Sequence, residues 1–341
     1  MSRRRRPQQN LGPPPFRLLK LPYLAQKEIM NSMELFEWFD LSQCSQRMKT
    51  FLKVFIKKLQ YTLVLEVGRD LNFKLTRQGH PTTQKFTFSV IHLPQQNAFQ
   101  IRLDADKKTW ISLWKSHLMG ARTVFNELLS TFTIHFEEVA LFLDTVEMDI
   151  RSLLNWLNDL EPEPRKARIF GNHVTVRNYS RFLDNFKFSN IGILDVNMRR
   201  TFRKEDLLVF VEDLRIENAH WITLENIRAM NCIAIDLVNV SLTFQDINFF
   251  IRNLINGSHP NLEYIAFDLK RELDIHAILQ DVFTIQENSD RFFLHNGIQI
   301  EDRDGHRFFM NSGEVGTIFI FDNGNRPSER IGIVVWKDRI H

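Results

Sequence analysis

The spacing of apolar positions changes several times along the chain of 341 residues. In residues 16–59 apolar side chains recur at steps of three and four, which is typical of helices with one buried face. Two short helical runs are followed by a long helix predicted from Ser42. Its apolar stripe consists of Cys44, Met48, Phe51, Leu52, Phe55, Ile56 and Leu59. A segment of this size cannot bury a full core alone, so the rest of the chain or another protein must cover it.

Residues 60–160 are predicted to form a module that is first β-rich and then helical. Apolar positions alternate on both sides of Gly68, which predicts two strands joined by a turn. The same alternation around Phe88 and Ile101 extends this sheet and leaves one face to solvent. From Ala121 the spacing is helical again, and the prolines that follow residue 160 end the module.

Residues 161–341 are predicted to form an α/β domain with a loose strand–helix repeat. Strand-like runs begin near Ile193, Leu214, Ile233 and Leu262. Their spacing is close to the repeat of about 20–29 residues found in leucine-rich repeats. The alternation favours parallel strands with crossover helices. A solenoid-like layer and an ordinary α/β sheet both fit this pattern.

Helices are predicted between these strands, at residues 204–212, 223–230 and 243–254. Thr223 and Thr243 begin the last two with signals close to a capping box. Nearer the C-terminus, alternating runs flank Asp304-Gly305 and Asn323-Gly324, which predicts two β-hairpins. The predicted fold class is therefore α+β: N-terminal helices, a mixed β/α region with degenerate leucine-rich-repeat-like units, and C-terminal hairpins.

The composition is that of an ordinary soluble globular protein, with 43% hydrophobic and 25% charged residues. A net charge of +3 gives no reason to expect nucleic acid or an anionic membrane as a partner. The two cysteines, Cys44 and Cys232, lie too far apart in sequence for a metal-binding pair, which fits a reducing compartment. No apolar run reaches the length of about 18 residues that a membrane span needs. These features predict a soluble intracellular protein, preceded by a disordered basic and proline-rich lead over residues 1–15.

The sequence offers no catalytic constellation. It has no Walker-type phosphate loop, no Gly-x-Gly-x-x-Gly after a strand and no Gly-x-Ser-x-Gly elbow. The 11 histidines have no neighbouring cysteine or histidine at ligand spacing, so neither a metal nor another cofactor is expected. The carboxylates from Glu137 to Asp149 are placed on the solvated face of a helix, and Cys232 in the core. This pattern favours binding and predicts that the protein is not an enzyme.

Two basic clusters remain open to two interpretations. Arg199-Arg200 with Arg203 form one, and Lys270-Arg271 form the other. Each fits a solvated surface, and each also fits pairing with a phosphate group.

Residues 16–59 resemble the F-box. The resemblance rests on Leu21-Pro22 at a helix start, Ile29-Met30 and Met33 on that helix, Leu41-Ser42, and the run from Cys44 to Met48. Further along, His220–Asn226, Met230–Cys232 and Leu262–Tyr264 resemble the type 2 F-box-associated domain, as does the terminal Val334–Trp336. The chain is thus similar to nematode F-box proteins, with the F-box at 16–59 and the associated domain within 161–341.

This resemblance implies a substrate-receptor subunit of an SCF-type cullin–RING ubiquitin ligase in the cytoplasm or nucleus. The F-box would bind the Skp adaptor, and through it the cullin, while the remaining chain holds a protein substrate. The implied adaptor-binding residues are Leu18, Leu21, Pro22, Ile29, Met33, Leu41, Cys44 and Met48. The family often has Lys and Trp at the positions held here by Gln46 and Met48.

A second hypothesis is a scaffold that acts without a ligase. Its helix from Ser42 would pack permanently on the chain's own β-rich part, and its late strands would bind a peptide by edge addition.

Overall fold

A computed structural model describes residues 18–56, 60–78, 85–93, 100–104, 109–187, 190–205, 207, 209, 211–286, 292–295, 298–301, 305–321 and 329–337. The predicted lead over residues 1–15 and the predicted turn at Asn323-Gly324 lie outside the described residues.

Helices in the described residues cluster at the N-terminus and then alternate with strands. They are α1 (Tyr23–Ser32), α2 (Leu35–Cys44), α3 (Gln46–Ile56), α4 (His117–Thr131), α5 (Ile150–Asn158), α6 (Val176–Asn185), α7 (Leu224–Ala229), α8 (Phe244–Ile255) and α9 (Ile275–Ile278), preceded by a 3-10 turn at Leu18–Lys20. Both predicted capping boxes are confirmed, with Thr223 paired to Asn226 and Thr243 paired to Asp246. None of the helices described is long and apolar enough to cross a membrane.

Strands account for most of the remaining described residues. They are β1 (Gln60–Val67), β2 (Leu71–Arg77), β3 (Lys85–His92), β4 (Gln100–Asp104), β5 (Thr109–Trp114), β6 (Thr133–Phe142), β7 (Lys166–Gly171), β8 (Ile191–Val196), β9 (Asp213–Ile216), β10 (Ala234–Leu237), β11 (Tyr264–Asp268), β12 (Ile285–Gln286), β13 (Phe292–His295), β14 (Ile298–Glu301), β15 (His306–Phe309), β16 (Val315–Ile320) and β17 (Arg330–Trp336).

One mixed sheet of 15 strands organises the molecule, in the order β12-β15-β16-β17-β11-β10-β9-β8-β7-β6-β1-β2-β3-β5-β4. From β6 to β11 the strands lie side by side in chain order and pair in parallel, as predicted for the repeat region. Strand β6 also pairs with β1, so the sheet passes residue 160 without a break. Strands β13 and β14 pair separately.

The two faces of the sheet have different surroundings. Alternate strand residues such as Leu65, Leu194 and Ile265 belong to one large hydrophobic core that they share with the helices. The opposite face carries a small second cluster, formed by Ala234, Tyr264, Ala266, Phe319 and Val334. Over β7, β8 and β9 the residues on the same face are only partly buried. The protein therefore presents an uncovered sheet surface near its centre.

The helix predicted across residues 121–160 is wrong in its middle part. Residues 133–142 form strand β6, between α4 and α5. The register of β6 against β1 shifts between Leu63 and Val64, so Glu137 is an extra residue that changes the phase of the alternation. Phe136 and Val139 therefore both point into the core although they are three residues apart, which imitates helical spacing. Glu137 and Glu138 accordingly lie on a strand rather than on a helix.

Three other local predictions also need correction. The helix expected to begin at Ser42 is divided, because extended backbone at Ser45 separates α2 from α3. The described residues among 204–212 form no helix, and Leu207 and Val209 are buried there in irregular backbone. In the described residues, the strands expected to pair across Asp304-Gly305 have other partners: β14 pairs with β13, and β15 pairs with β12 and β16.

Stability is expected to fall as the pH decreases below about 6.5, the pKa of an unperturbed histidine. His259 is buried, and its Nε2 donates a hydrogen bond to the carbonyl oxygen of Ile227. Burial lowers the pKa of His259, and it likewise lowers the pKa values of His117 and His306. The unfolded chain therefore binds more protons than the folded chain in this range, so acid favours unfolding.

Urea denaturation at pH 7.5 and pH 5.5 measures this effect. The free energy of unfolding should be lower at pH 5.5, and His259→Gln should reduce the difference between the two values. Equal stability at both pH values would contradict the prediction.

Candidate functional site

The N-terminal helices are fixed to the sheet mainly by the aromatic face of α2. The ring of Phe39 lies 4.8 Å from that of Phe88 and 5.2 Å from that of Trp110. Phe36 contacts Phe86 and Phe88 edge-on at 5.2 and 5.3 Å. Such edge-to-face pairs add to the stabilisation that comes from burial. The chain's own sheet therefore covers much of the apolar surface of this helical segment.

Polar contacts reinforce the same attachment. The Lys49 ammonium of α3 forms an ion pair with Glu127 of α4. Burial raises the pKa of Glu127, but hydrogen bonds from Lys49 and Gln43 outweigh it and hold that pKa below its usual value. Glu127 is thus ionised at neutral pH and keeps this link charged. The indole Nε1 of Trp110 donates a hydrogen bond to Asp40 over 3.3 Å.

The eight residues implied as adaptor contacts occupy three kinds of environment. Leu18 is buried in the chain's own core, while Pro22 and Cys44 are exposed. The other five are partly buried and pack against the core, namely Leu21, Ile29, Met33, Leu41 and Met48. The structure therefore leaves seven of these side chains at least partly accessible, and it buries Leu18 in the core.

Three large apolar side chains on α1 and α3 are more exposed than any of these partly buried residues, and the sequence reasoning did not select them. Tyr23 is 60% exposed, Leu24 is 74% exposed and Val54 is 65% exposed. We call these three the α1–α3 patch. The Tyr23 ring stacks on Phe55 at 5.9 Å, which brings the two helices together. Val54 lies off the predicted apolar stripe of its helix, and this was a usable signal for exposure.

Clusters of exposed apolar residues on neighbouring elements are typical of protein-binding surfaces, whereas isolated ones are common everywhere. The α1–α3 patch is therefore the first candidate site. It can bury apolar surface against a partner without any change in the core beneath it.

A second candidate site is the uncovered sheet face. Next to it, on β10, Asp236 is buried, and its carboxylate contacts Arg215 Nη1 at 3.1 Å and Arg330 Nη2 at 2.9 Å. Burial raises the pKa of Asp236, and the two guanidinium groups reduce this increase without cancelling it. Arg215 also contacts Glu217 at 2.7 Å. This network links side chains of β9, β10 and β17, and it crosses β11, which lies between β10 and β17 in the sheet.

A shallow groove of about 430 Å³ runs over β7, β8 and β9 beside this network. Lys166, Arg168, Asp195, Arg215 and Glu217 contribute both signs of charge to its lining. Burial and the charge of Glu217 raise the pKa of Asp195. The mixture of charges and half-buried isoleucines suits an extended protein segment better than a small ion.

The described part of the chain contains no group of three or more His, Cys, Asp or Glu side chains placed to hold a metal ion. Cys232 is buried, and burial raises the pKa of its thiol to about 12. A thiol with such a pKa is not a nucleophile at neutral pH. The placement of Cys232 in the core is thereby confirmed.

Residues 202–267 match the family described as "F-box associated". The chain is also 23% identical over 296 residues to the "Skn-1 dependent zygotic transcript 15 protein" of Caenorhabditis elegans, covering 80% of this chain and 85% of that protein. A second C. elegans protein, "Uncharacterized protein F59B2.9", is 26% identical over 133 residues, or 37% of this chain and 31% of that protein. No solved structure gives a significant match.

Residues 202–267 are thus similar to the F-box-associated family, and both of these relatives are nematode proteins. The matched residues run from the loop before β9 to the last residues of β11, and they include most of the stretches that resemble this domain in the sequence. The F-box assignment of residues 16–59 lies outside the family match and stays a prediction.

Proposed function

We propose that this protein is a substrate-receptor subunit of an SCF-type cullin–RING ubiquitin ligase. Its N-terminal helices dock on a Skp-type adaptor, and its sheet region holds a protein substrate. The observation that carries the proposal is the coexistence, in one chain, of the F-box-associated match at 202–267 and an exposed apolar patch on an F-box-like helical segment. The protein then has no active site, and it contributes to ubiquitin transfer by positioning the substrate.

The packing of the N-terminal helices supports a division of surfaces. α2 turns Phe36 and Phe39 toward the chain's own sheet, while α1 and α3 leave Tyr23, Leu24 and Val54 outward. Docking therefore needs no opening of the core. The partly buried Leu21 and the exposed Pro22 directly precede Tyr23 in the chain and extend this surface.

The remaining chain supplies the substrate side of the proposal. The parallel strands β6–β11 follow one another in order, so we extend the proposal to a solenoid-like layer of degenerate leucine-rich-repeat-like units. Its uncovered face carries the groove over β7–β9. With Skp and cullin as partners, the protein would work in the cytoplasm or the nucleus.

Charged substitutions in the α1–α3 patch should prevent adaptor binding. We expect Leu24→Glu and Val54→Glu each to weaken capture by a purified Skp-type adaptor about thirtyfold. Each substitution replaces an apolar side chain in the interface, and losing such a contact typically costs about 2 kcal/mol. Affinity capture of the full chain measures this loss. Changing both Leu21 and Pro22 to alanine should abolish the remaining capture.

Val176→Glu is the matched control. Val176 is an exposed valine on α6, away from the N-terminal helices, so its substitution should leave capture unchanged. Full adaptor binding by the Leu24→Glu/Val54→Glu double variant would rule out the docking surface.

The scaffold hypothesis is favoured by one observation, the packing of Leu21, Ile29 and Met33 against the chain's own core. The observed attachment runs chiefly through α2, with Leu52 and Ile56 of α3 also buried. A scaffold would show no capture by any Skp-type adaptor and would still bind a protein partner through the sheet.

A further inference from the structure

A basic cleft lies at the carboxyl ends of four parallel strands, of which the family match covers β9, β10 and most of β11. It has a volume of about 620 Å³ and is lined by the loops that follow β8, β9, β10 and β11. The carboxyl ends of parallel strands lie at one edge of a sheet, where α/β proteins commonly bind ligands. The cleft is separate from both the α1–α3 patch and the groove on the uncovered sheet face.

The fold brings both basic clusters of the sequence to this cleft. Arg200 and Arg203 come from the loop after β8, and Arg271 comes from the loop after β11. His220, Asn197, Asn239 and Ser241 add further polar groups to the lining, which includes no aspartate or glutamate. Three guanidinium groups around one cavity without a lining carboxylate form a site of positive potential.

Two of these arginines are held in place by neutral groups. Arg203 Nη1 donates hydrogen bonds to the carbonyl oxygens of Arg200 and Phe202 at 2.8 and 2.6 Å. Arg271 Nη2 donates one to the carbonyl oxygen of Leu242 at 2.7 Å, and its guanidinium lies 4.3 Å from the centre of the Phe244 ring. Neither arginine, nor Arg200, forms an ion pair with another residue in the described parts of the chain. Their charges are thus positioned but not neutralised by these neighbours.

The loops themselves adopt backbone that is unusual for residues with side chains. Asn239 has φ 63° and Lys270 has φ 52°, both in the left-handed region. The Val240 amide donates a hydrogen bond to the carbonyl oxygen of Asp268, which ties the two loops together. Left-handed backbone at non-glycine residues costs about 1 kcal/mol or more and is concentrated at binding sites.

A smaller groove of about 390 Å³ continues from the cleft along the same edge of the sheet. The two cavities share Asn197 and Met198, and the smaller one adds Val174 and Val176. The edge of the sheet therefore combines a cationic pocket with a partly apolar groove, and an extended segment of a protein could occupy both.

From this arrangement we propose that the cleft binds a phosphorylated serine or threonine of a partner protein, with the adjacent residues of that protein in the smaller groove. Arginine is suited to this role because its planar guanidinium forms paired, charge-assisted hydrogen bonds with phosphate oxygens. This inference rests on the proposed function where it identifies the partner as a substrate of the ligase. The binding of the phosphorylated residue itself does not depend on the adaptor.

The test uses the purified full chain and a degenerate peptide library with a central phosphoserine or phosphothreonine. The same library with serine or threonine is the reference. Fluorescence anisotropy should show at least tenfold tighter binding of the phosphorylated library, and inorganic phosphate should compete. Arg200→Gln should weaken that binding about tenfold, since it removes a charged hydrogen-bond donor. Arg200→Gln/Arg271→Gln should weaken it further.

Arg252→Gln is the matched control, because Arg252 is exposed on α8 and does not line the cleft. It should bind the phosphorylated library as the unchanged chain does.

The Arg200 side chain donates no hydrogen bond in the described residues, so Arg200→Gln is expected to fold normally. Its melting temperature verifies this. Equal binding of both libraries, or no loss with a folded Arg200→Gln, would overturn the proposal. Tighter binding of a single-stranded RNA, lost with the same variant, would overturn it too.

Adaptor capture on the same variants separates the two proposals. Capture should be unchanged by Arg200→Gln and Arg271→Gln. Preference for the phosphorylated library without adaptor capture would support the phosphate site and contradict the ligase role. Adaptor capture without any preference for phosphate would support the ligase role and contradict the phosphate site.

Discussion

Replacing Phe39 with alanine is expected to lower the free energy of unfolding by about 3–5 kcal/mol, the usual cost of removing a buried aromatic ring. Phe39 is 2% exposed and its ring contacts those of Phe88, Trp110 and Phe132. It belongs to an N-terminal helix, whereas its partners belong to the sheet and to the end of α4. The loss should therefore affect the whole molecule and not only the helical segment.

Urea denaturation followed by circular dichroism measures this loss. Phe283→Ala is the control, because Phe283 is 78% exposed, and its replacement should change the free energy of unfolding by less than about 0.5 kcal/mol. If Phe39→Ala were as stable as Phe283→Ala, the packing of α2 on the sheet would be wrong. The docking surface on α1 and α3 would then need to be reassigned, since it depends on α2 facing inward.

Replacing Asp236 with alanine is also expected to destabilise the protein by about 3–5 kcal/mol, the range measured when one partner of a buried ion pair is removed. The Asp236 carboxylate lies between the guanidinium groups of Arg215 and Arg330. Without it, both guanidinium groups lose the buried carboxylate that they contact, and Glu217 stays in contact with Arg215 alone. The variant should unfold at a lower urea concentration than the unchanged chain.

Glu217→Ala provides the comparison for Asp236. Glu217 contacts Arg215 as well, but its side chain is 31% exposed, so its removal should cost about 1 kcal/mol or less. Similar losses for the two variants would show that burial does not decide the energetics of this network.

Features with local causes were predictable from the sequence. The helices that begin at Thr223 and Thr243 need only a capping side chain and an apolar stripe, all within about a dozen residues. The parallel strands after Ile193 were likewise predictable, because short apolar runs alternate there with helices. Pairing partners distant in the chain were not predictable. Strand β11, for example, pairs with β17, and β1 pairs with β6.

The bulge at Glu137 illustrates the physical reason. An alternating strand pattern with one inserted residue resembles helical spacing, and only the neighbouring β1 determines the register. The exposure of candidate site residues likewise depends on neighbours that are distant in the chain. Leu18 and Leu24 are chemically identical, and what distinguishes them is which one the chain's own core covers.

By itself the sequence determined the α+β fold class, the parallel strands after Ile193 and the similarity of residues 202–267 to the F-box-associated family. Tertiary structure alone decided which apolar side chains of the N-terminal helices stay exposed. It also decided that Arg200 and Arg271 line one cleft, although they are 71 positions apart in the chain. Local patterns arise from interactions between near neighbours, whereas surfaces and clefts arise where distant segments meet.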